Sequence, residues 1–180
     1  MLISLLATSC GEKTSNEDFV LMTTENKNFS LDELKNHNAA VFVFLDYECP
    51  LSQNYTNKIN ELAEKYKNQN IQFYSVFPNL NADNADVKMF RRKYKMEIPF
   101  IGDPEKKLTD YLSATITPEA FLVDSNKTIL YSGRIDNWAS ALGVKRQITT
   151  SHDLDDAINN FINNKEIKIK KTEAVGCLIE

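Results

Sequence analysis

The chain has 180 residues, of which 42% are hydrophobic, 26% charged and 10% aromatic, with only 5 Gly and 5 Pro. This composition is typical of one globular domain and excludes a disordered, collagen-like or repeat-array chain. The 21 Lys and Arg residues against 25 Asp and Glu residues give a formal net charge of -4. No basic excess therefore favours binding to nucleic acid or to an anionic membrane surface.

The N-terminal segment is similar to the end of a bacterial lipoprotein signal peptide. A short apolar run and small residues lead to Cys10, and Gly11 follows it. In that pattern the cysteine is lipidated and becomes the first residue of the mature chain. Residues 1–18 are then a signal remnant and tether, and the lipid on Cys10 anchors the protein to a membrane of the cell envelope, facing the periplasm. An incidental cysteine in a terminal segment is the alternative.

The first predicted elements are a strand at residues 19–21 and a brief helix that opens with the capping box Ser30-Leu-Asp-Glu33. Residues 40–45 form an unbroken apolar run, which is typical of a central strand buried on both faces. Pro50 suits the first turn of the next helix, where a backbone N–H has no helical partner. The apolar stripe of that helix has three- and four-residue spacing and consists of Leu51, Tyr55, Ile59, Leu62 and Tyr66.

Strands and helices continue to alternate through the middle of the chain. Residues 71–77 predict a second buried strand, and the apolar spacing within residues 87–94 predicts a second helix. Residues 98–102 predict a short extended segment. We expect Asp103-Pro104-Glu105 to begin a third helix, because it offers a capping residue, a first-turn proline and an acid near the positive end of the helix. The order so far is a βαβ pattern.

The last predicted elements are a β-hairpin and a closing helix. The hairpin strands are residues 120–123 and 128–131, and the helix covers residues 154–162. The sequence therefore predicts one α/β domain at residues 19–164, with a central mixed sheet flanked by helices, followed by a C-terminal tail at residues 165–180. No segment has the roughly 18 consecutive apolar residues that a membrane-spanning helix needs.

Cys49 is the first candidate for chemistry, because it directly follows a predicted buried strand and directly precedes a predicted helix. Backbone N–H groups at a helix N-terminus and the helix dipole stabilise a thiolate, which is the nucleophilic form of cysteine. Asp46 and Glu48 act in the opposite direction, since nearby carboxylates raise a thiol pKa. We expect a moderately activated thiol. A buried, inert cysteine at the end of a strand is the alternative.

The other potential ligands of a metal are few and far apart. The chain has three cysteines, Cys10, Cys49 and Cys177, and two histidines, His37 and His152. No two cysteines form a C-x-x-C pair, and no two soft ligands lie within one helical turn, so neither a disulfide scaffold nor a zinc site is predicted. We expect no metal and no other cofactor.

The arrangement around Cys49 resembles the thioredoxin fold, whose nucleophilic cysteine follows the central strand and opens the first long helix. The resemblance extends to Thr117-Pro118, which stands directly before the predicted hairpin. Thioredoxin-like proteins carry a cis-proline at that place, facing the catalytic cysteine, and the residue before it offers backbone groups to an extended substrate. The resemblance therefore implies a thioredoxin-like fold, a cis Pro118 and a substrate-binding role for Thr117 and Pro118.

The chain is similar, more specifically, to redoxin-domain proteins of the alkyl-hydroperoxide-reductase and thiol-antioxidant group. Three shared segments carry this resemblance, at residues 48–55, at residues 117–124 with 131–136, and at residues 174–177.

Three positions depart from the patterns of related families. Ser52 stands where a disulfide reductase would have its second cysteine, so there is no local dithiol. Asp46 and Phe42 stand where a typical peroxiredoxin would have the hydroxyl residue that holds the peroxide and an upstream proline. Ordinary peroxidase activity is therefore not expected.

The resemblance implies a thiol-disulfide oxidoreductase of the cell envelope. Cys49 would attack a protein or small-molecule disulfide, or a peroxide, Cys177 would resolve the adduct, and an external thiol reductant would regenerate both thiols. The membrane is a partner only through the lipid anchor. Arg134 is a candidate for electrostatic support of Cys49, and a solvated salt bridge is the alternative role for it. Alternatives are a Cys177 that only packs the tail, a peroxiredoxin-like peroxidase, and a non-catalytic module that binds partners at Pro118.

Overall fold

A computed structural model describes residues 19–180, so Cys10 and the predicted tether lie outside the described residues. Four α-helices cover Pro50–Tyr66 (α1), Ala85–Lys93 (α2), Lys107–Leu112 (α3) and Asp153–Ile162 (α4). The strands are β1 (Leu21–Thr23), β2 (Asn28–Phe29), β3 (Ala39–Phe44), β4 (Ile71–Pro78), β5 (Phe100–Asp103), β6 (Ile116–Thr117), β7 (Glu119–Asp124), β8 (Ile129–Gly133), β9 (Ala139–Ala141), β10 (Val144–Lys145) and β11 (Cys177–Leu178). Two 3-10 helices cover Leu31–Asn36 and Lys67–Gln69.

Seven of the strands form one mixed sheet in the order β2-β1-β5-β4-β3-β7-β8. The β3, β4 and β5 strands are parallel, and β7 runs antiparallel to β3. The carboxyl ends of the three parallel strands therefore meet at one edge of the sheet, and Cys49 follows β3. Two short pairs, β9 with β10 and β6 with β11, lie outside this sheet. The predicted α/β class with a central mixed sheet is confirmed.

The β3 strand is the centre of the core, and all six of its residues are buried. Its side chains alternate between the two faces, as the two-residue period of a strand requires. Val41 and Val43 join a cluster that includes the apolar faces of α1, α2 and α4, whereas Phe42 and Phe44 join a second cluster with α3 and the first 3-10 helix. The prediction of a central strand buried on both faces is confirmed.

Helix α1 also follows the prediction. Pro50 occupies its first turn, and the five stripe residues are all buried against the sheet. Cys49 is the residue that immediately precedes the first turn, with extended backbone angles. The helix therefore fixes the sulfur of Cys49 at its N-terminus, at the carboxyl edge of the parallel strands.

Three local predictions were wrong in detail. The side chain of Ser30 makes no capping hydrogen bond, and the segment is a 3-10 helix rather than an α-helix. The first strand begins at Leu21, where pairing with Phe29 starts. Asp103 ends β5 instead of capping a helix at residue 103, because it pairs with Pro78 of β4. Its carboxylate accepts hydrogen bonds from the backbone and hydroxyl of Thr109, at 2.8 and 2.7 Å, inside the later helix α3.

The C-terminal segment packs against the domain in two places. Its first contact is with β8, where Thr172 N donates to Ser132 O at 3.0 Å and the Thr172 hydroxyl contacts Tyr131 Oη at 2.6 Å. Gly133 permits this contact, because its φ is +132° and an added Cβ would overlap Thr172. The second contact is β11, which pairs antiparallel with β6.

None of the helices within residues 19–180 combines the length and the apolar character needed to cross a bilayer.

Candidate active site

Cys49 lies in the loop between the end of β3 and the start of α1, and only 2% of the residue is exposed. The loop is held by short local hydrogen bonds. Leu45 N donates to Val76 O of β4 at 2.8 Å, and Glu48 N donates to the Asp46 carboxylate at 2.8 Å. The position of the sulfur is thus set by the sheet on one side and by the helix on the other.

The tail brings Cys177 to Cys49. In the β6–β11 pair Cys177 is the register partner of Thr117 and Leu178 that of Ile116, and Ile179 N donates to Thr115 O at 2.9 Å. This pairing places Cys177 Sγ 2.6 Å from Cys49 Sγ, although the two residues are 128 positions apart in the chain. The two thiols are free in this structure and lie within reach of a disulfide.

The two sulfurs have opposite acid–base properties. Burial raises the pKa of the Cys49 thiol, but hydrogen bonds from the thiol and backbone of Cys177 and from the backbone and hydroxyl of Ser52 outweigh burial, so the pKa is lowered from its ordinary value. Burial, the hydrogen bond to Cys49 and the negative charges of Cys49 and Asp46 raise the pKa of Cys177 to about 12. Cys49 is therefore the more acidic thiol of the pair, and Cys177 donates a hydrogen bond to its sulfur.

Thr117 and Pro118 lie beside this pair. Their peptide bond is cis, as the resemblance implied. The carbonyl oxygen of Thr117 lies 3.1 Å from Cys49 Sγ and accepts a hydrogen bond from the thiol when Cys49 is protonated. Thr117 is buried, and its backbone is already paired with the tail.

A cavity of about 640 Å³ opens beside the two thiols. Its walls combine the loop before α1, the turn after β4, the β9–β10 hairpin and the tail. Among residues 19–180, the charged residues that line it are Asp46, Glu48 and Glu180, with no Lys or Arg. Apolar contact is offered by Leu80 and Leu142. The access route to the thiols is therefore acidic and partly apolar.

The sequence left two roles open for Arg134, electrostatic support of Cys49 and a salt bridge. Its guanidinium forms a salt bridge with Asp153, with Nε 2.8 Å from Oδ2. The Asp153 side chain is only 1% exposed and that of Arg134 is 33% exposed, so the carboxylate is buried and the guanidinium is in partial contact with solvent. The structure thus pairs Arg134 with the first residue of α4, and its electrostatic support of Cys49 stays a prediction.

Two residues at the site were not identified as functional from the sequence. Ser52 was noted only as a missing cysteine, yet its backbone and hydroxyl help to lower the pKa of Cys49, and its hydroxyl accepts a hydrogen bond from Asp46 N at 3.2 Å. Its position in the first helical turn after Cys49 is the signal that would have found it, because that turn has free N–H groups. No contact was predicted for Gly176, yet an added Cβ would overlap the carbonyl oxygen of Thr117. No local sequence signal reveals that contact.

Within residues 19–180, no cluster of three or more His, Cys, Asp or Glu side chains is arranged to hold a metal ion.

Comparisons with known proteins agree with this geometry. An uncharacterized conserved protein from Geobacillus kaustophilus is 18% identical with a TM-score of 0.77, covering 90% of this chain and 87% of its own. A hypothetical protein from Sinorhizobium meliloti is 21% identical with a TM-score of 0.74, covering 89% of both chains. The thioredoxin domain of a thiol-disulfide oxidoreductase from Bacteroides vulgatus is 16% identical with a TM-score of 0.59, covering 81% of this chain and 93% of its own. These identities show the fold alone.

No curated protein matches the chain. The family model described as the AhpC/TSA family matches residues 13–132, which include β3, Cys49, α1 and the cis Pro118. Because that match spans most of the chain and the structural neighbours are thioredoxin-like, the chain belongs to the AhpC/TSA family and has a thioredoxin-like fold.

Proposed function

We propose that the protein is a thiol-disulfide oxidoreductase in which Cys49 is the nucleophile and Cys177 is the resolving thiol. Family membership and fold support thiol oxidoreductase chemistry at a coarse level. The observation that carries the finer proposal is the 2.6 Å contact between two sulfurs that lie 128 positions apart. A tail that only packed against the domain would not need to place its cysteine in contact with the buried thiol of the loop.

The acid–base properties of the two thiols support this division of roles. The lowered pKa favours the nucleophilic thiolate of Cys49, whereas a pKa of about 12 keeps Cys177 protonated until Cys49 has reacted. Once Cys49 is in a mixed disulfide, its negative charge is gone and so is that part of the effect on Cys177. The second thiol then ionises more easily, which gives the two steps an order.

The proposed reaction consists of two exchanges. The Cys49 thiolate attacks one sulfur of a disulfide, the new Cys49–S bond forms, and the other sulfur leaves as a thiolate. The Cys177 thiolate then attacks Cys49 Sγ, the Cys49–Cys177 disulfide forms, and the second half of the substrate leaves as a thiolate. An external thiol reductant returns the pair to two thiols. Thr117 and Pro118 would bind the substrate backbone next to Cys49.

The test uses the full chain with Cys10→Ser, so that one internal pairing remains. We expect mild oxidation to give a monomer with a Cys49–Cys177 disulfide in a digest analysed by mass spectrometry. With bis(2-hydroxyethyl) disulfide as substrate and a thiol reductant, Cys49→Ser should abolish turnover, and Cys177→Ser should accumulate a mixed disulfide on Cys49.

Turnover that survives Cys49→Ser would contradict the proposal, and absence of turnover in the chain with both thiols would favour a binding module. If oxidation of the chain with both thiols gives Cys49 only in mixed disulfides, the proposed resolving role of Cys177 is wrong and Cys177 is a packing residue.

A peroxide is the second candidate substrate, favoured by the family match. Attack of the Cys49 thiolate on a peroxide would give a sulfenic acid and release water or an alcohol, and Cys177 would condense with it and release water. Asp46, where a peroxidase would have a hydroxyl residue, argues against fast attack. Loss of the Cys49 thiol to hydrogen peroxide at the rate of an ordinary thiol is the expected result, and a far faster loss would favour the peroxidase.

We also propose that the protein is anchored in the cell envelope by a lipid on Cys10. The support is the apolar run that leads to Cys10 and Gly11. Metabolic labelling with a fatty acid in a bacterial host should label the chain with Cys10 and leave the Cys10→Ser chain unlabelled. Equal labelling of both would refute the anchor.

A further inference from the structure

The edge of β6 is the part of the active site that the chain itself already occupies. The tail strand β11 runs antiparallel to β6, with Cys177 opposite Thr117, and this register delivers the Cys177 sulfur onto Cys49. A disulfide-containing peptide that paired with β6 in the same register would deliver its own sulfur to the same point. The tail is therefore a template for the peptide that this edge accepts, if the proposed function holds.

The position before the cysteine has a strict requirement in this register. Gly176 lies so close to β6 that an added Cβ would overlap the carbonyl oxygen and carbonyl carbon of Thr117 and the side chain of Ile116, the last at 2.8 Å. Two of these three atoms belong to the backbone of a buried residue, so they cannot move aside as the end of a flexible side chain would. Glycine is the residue that fits.

The positions after the cysteine have different requirements. Leu178 is 74% exposed, so the residue directly after the cysteine contributes little contact. Ile179 packs against the second core cluster, and its N–H donates to Thr115 O. On the other side, Val175 packs against the first core cluster. The template thus reads as an apolar residue, glycine, cysteine, a freely variable residue and an apolar residue.

We propose that the edge of β6 is a binding site for an extended peptide whose reacting cysteine directly follows a glycine, and that residues 175–179 are its built-in occupant. The substrate class that follows is a protein or peptide disulfide with this local sequence. Peptide and tail exclude each other, because both need the same backbone groups of Thr117. In the reaction, Cys49 attacks the peptide sulfur, the former partner of that sulfur leaves as a thiolate, and return of the tail releases the peptide as a thiol.

The test measures how fast the full chain, with Cys10→Ser, reacts with three peptides whose cysteine carries a chromophoric thionitrobenzoate. Their sequences are Ala-Val-Gly-Cys-Leu-Ile, the same with Ala for Gly, and the same with Ala for Leu. We expect the Ala-for-Gly peptide to react at least about tenfold more slowly, since one added carbon in a rigid contact carries a cost of this order. The Ala-for-Leu peptide is the matched control and should react within about twofold. Rates with free mercaptoethanol correct for intrinsic reactivity.

A second experiment changes the tail of the protein instead of the peptide. Gly176→Ala should push the tail from β6, so that Cys49, compared with the parent at a pH where it is ionised in both chains, reacts faster with the glycine peptide while the internal disulfide forms more slowly. This variant leaves the domain core untouched, because Gly176 lies in the tail and is only half-buried.

The outcomes separate this proposal from the proposed function. If the Gly and Ala peptides react at equal rates while Cys49 still reduces bis(2-hydroxyethyl) disulfide, the proposed peptide register is wrong and the proposed oxidoreductase function is retained. Loss of both reactions, or turnover without Cys49, overturns both.

Discussion

Oxidation of the thiol pair should stabilise the chain by a large and calculable amount. A disulfide between Cys49 and Cys177 joins residues 128 positions apart. In the chain-entropy model, closing a loop of this length lowers the entropy of the unfolded chain enough to raise the free energy of unfolding by about 5 kcal/mol. The folded state already holds the two sulfurs in contact, so little of this gain is lost to rearrangement.

Urea unfolding followed by the fluorescence of Trp138 would measure this effect. We expect the oxidised chain to unfold at a higher urea concentration than the reduced chain, with a smaller dependence on urea because the cross-linked unfolded chain exposes less surface. The same gain corresponds to a rise of roughly 10–20 °C in the melting temperature for a chain of this size. Both chains would carry Cys10→Ser.

The Cys177→Ser variant is the control, since it keeps the tail but has no cross-link. It should have the same stability with and without oxidant. Equal stability of the oxidised and reduced chains, with the Cys49–Cys177 disulfide verified by mass spectrometry, would refute the reasoning. That result would mean that the disulfide strains the folded state by as much as it restricts the unfolded one.

Two further predictions concern single side chains. The pH midpoint for alkylation of Cys49 by iodoacetamide should rise in Cys177→Ala, because the lowered pKa of Cys49 depends on the hydrogen bond from Cys177. Cys177→Ser keeps a hydrogen-bond donor, so its midpoint should rise less. Equal midpoints in the parent and in Cys177→Ala would contradict this cause. Arg134→Met should lower the free energy of unfolding by about 2 kcal/mol at pH 7, since it leaves the buried Asp153 carboxylate without its charged partner. Arg134 helps to lower the pKa of Asp153 in the folded state, so the difference from the parent should shrink as pH falls below about 4, and a pH-independent difference would refute the ion pair as its source.

Local patterns were enough to predict the elements that lie in the core. The apolar run of β3 and the spaced apolar stripe of α1 each repeat the period of the structure they form, so a short stretch of sequence contains the whole signal. The position of Cys49 between them follows directly. The resemblance to thioredoxins added the cis Pro118, which no local pattern predicts, because X-Pro bonds are mostly trans.

Elements that depend on distant partners were not predicted correctly. Asp103 has the features of a helix cap, but pairing with Pro78 of a neighbouring strand extends β5 through it. The β9–β10 hairpin, Ala139–Ala141 with Val144–Lys145, was missed, since its strands are too short for a period to be seen.

The sequence by itself determined that a thiol stands between a buried strand and a helix, because each of those features is local. It also supplied a second thiol, but not the distance between the two. Only the tertiary structure decided that Cys177 meets Cys49, through the pairing of β11 with β6 and the close approach of Gly176 to Thr117. A two-residue strand has no pattern of its own, and its place is fixed by backbone groups that lie about sixty residues away in the chain.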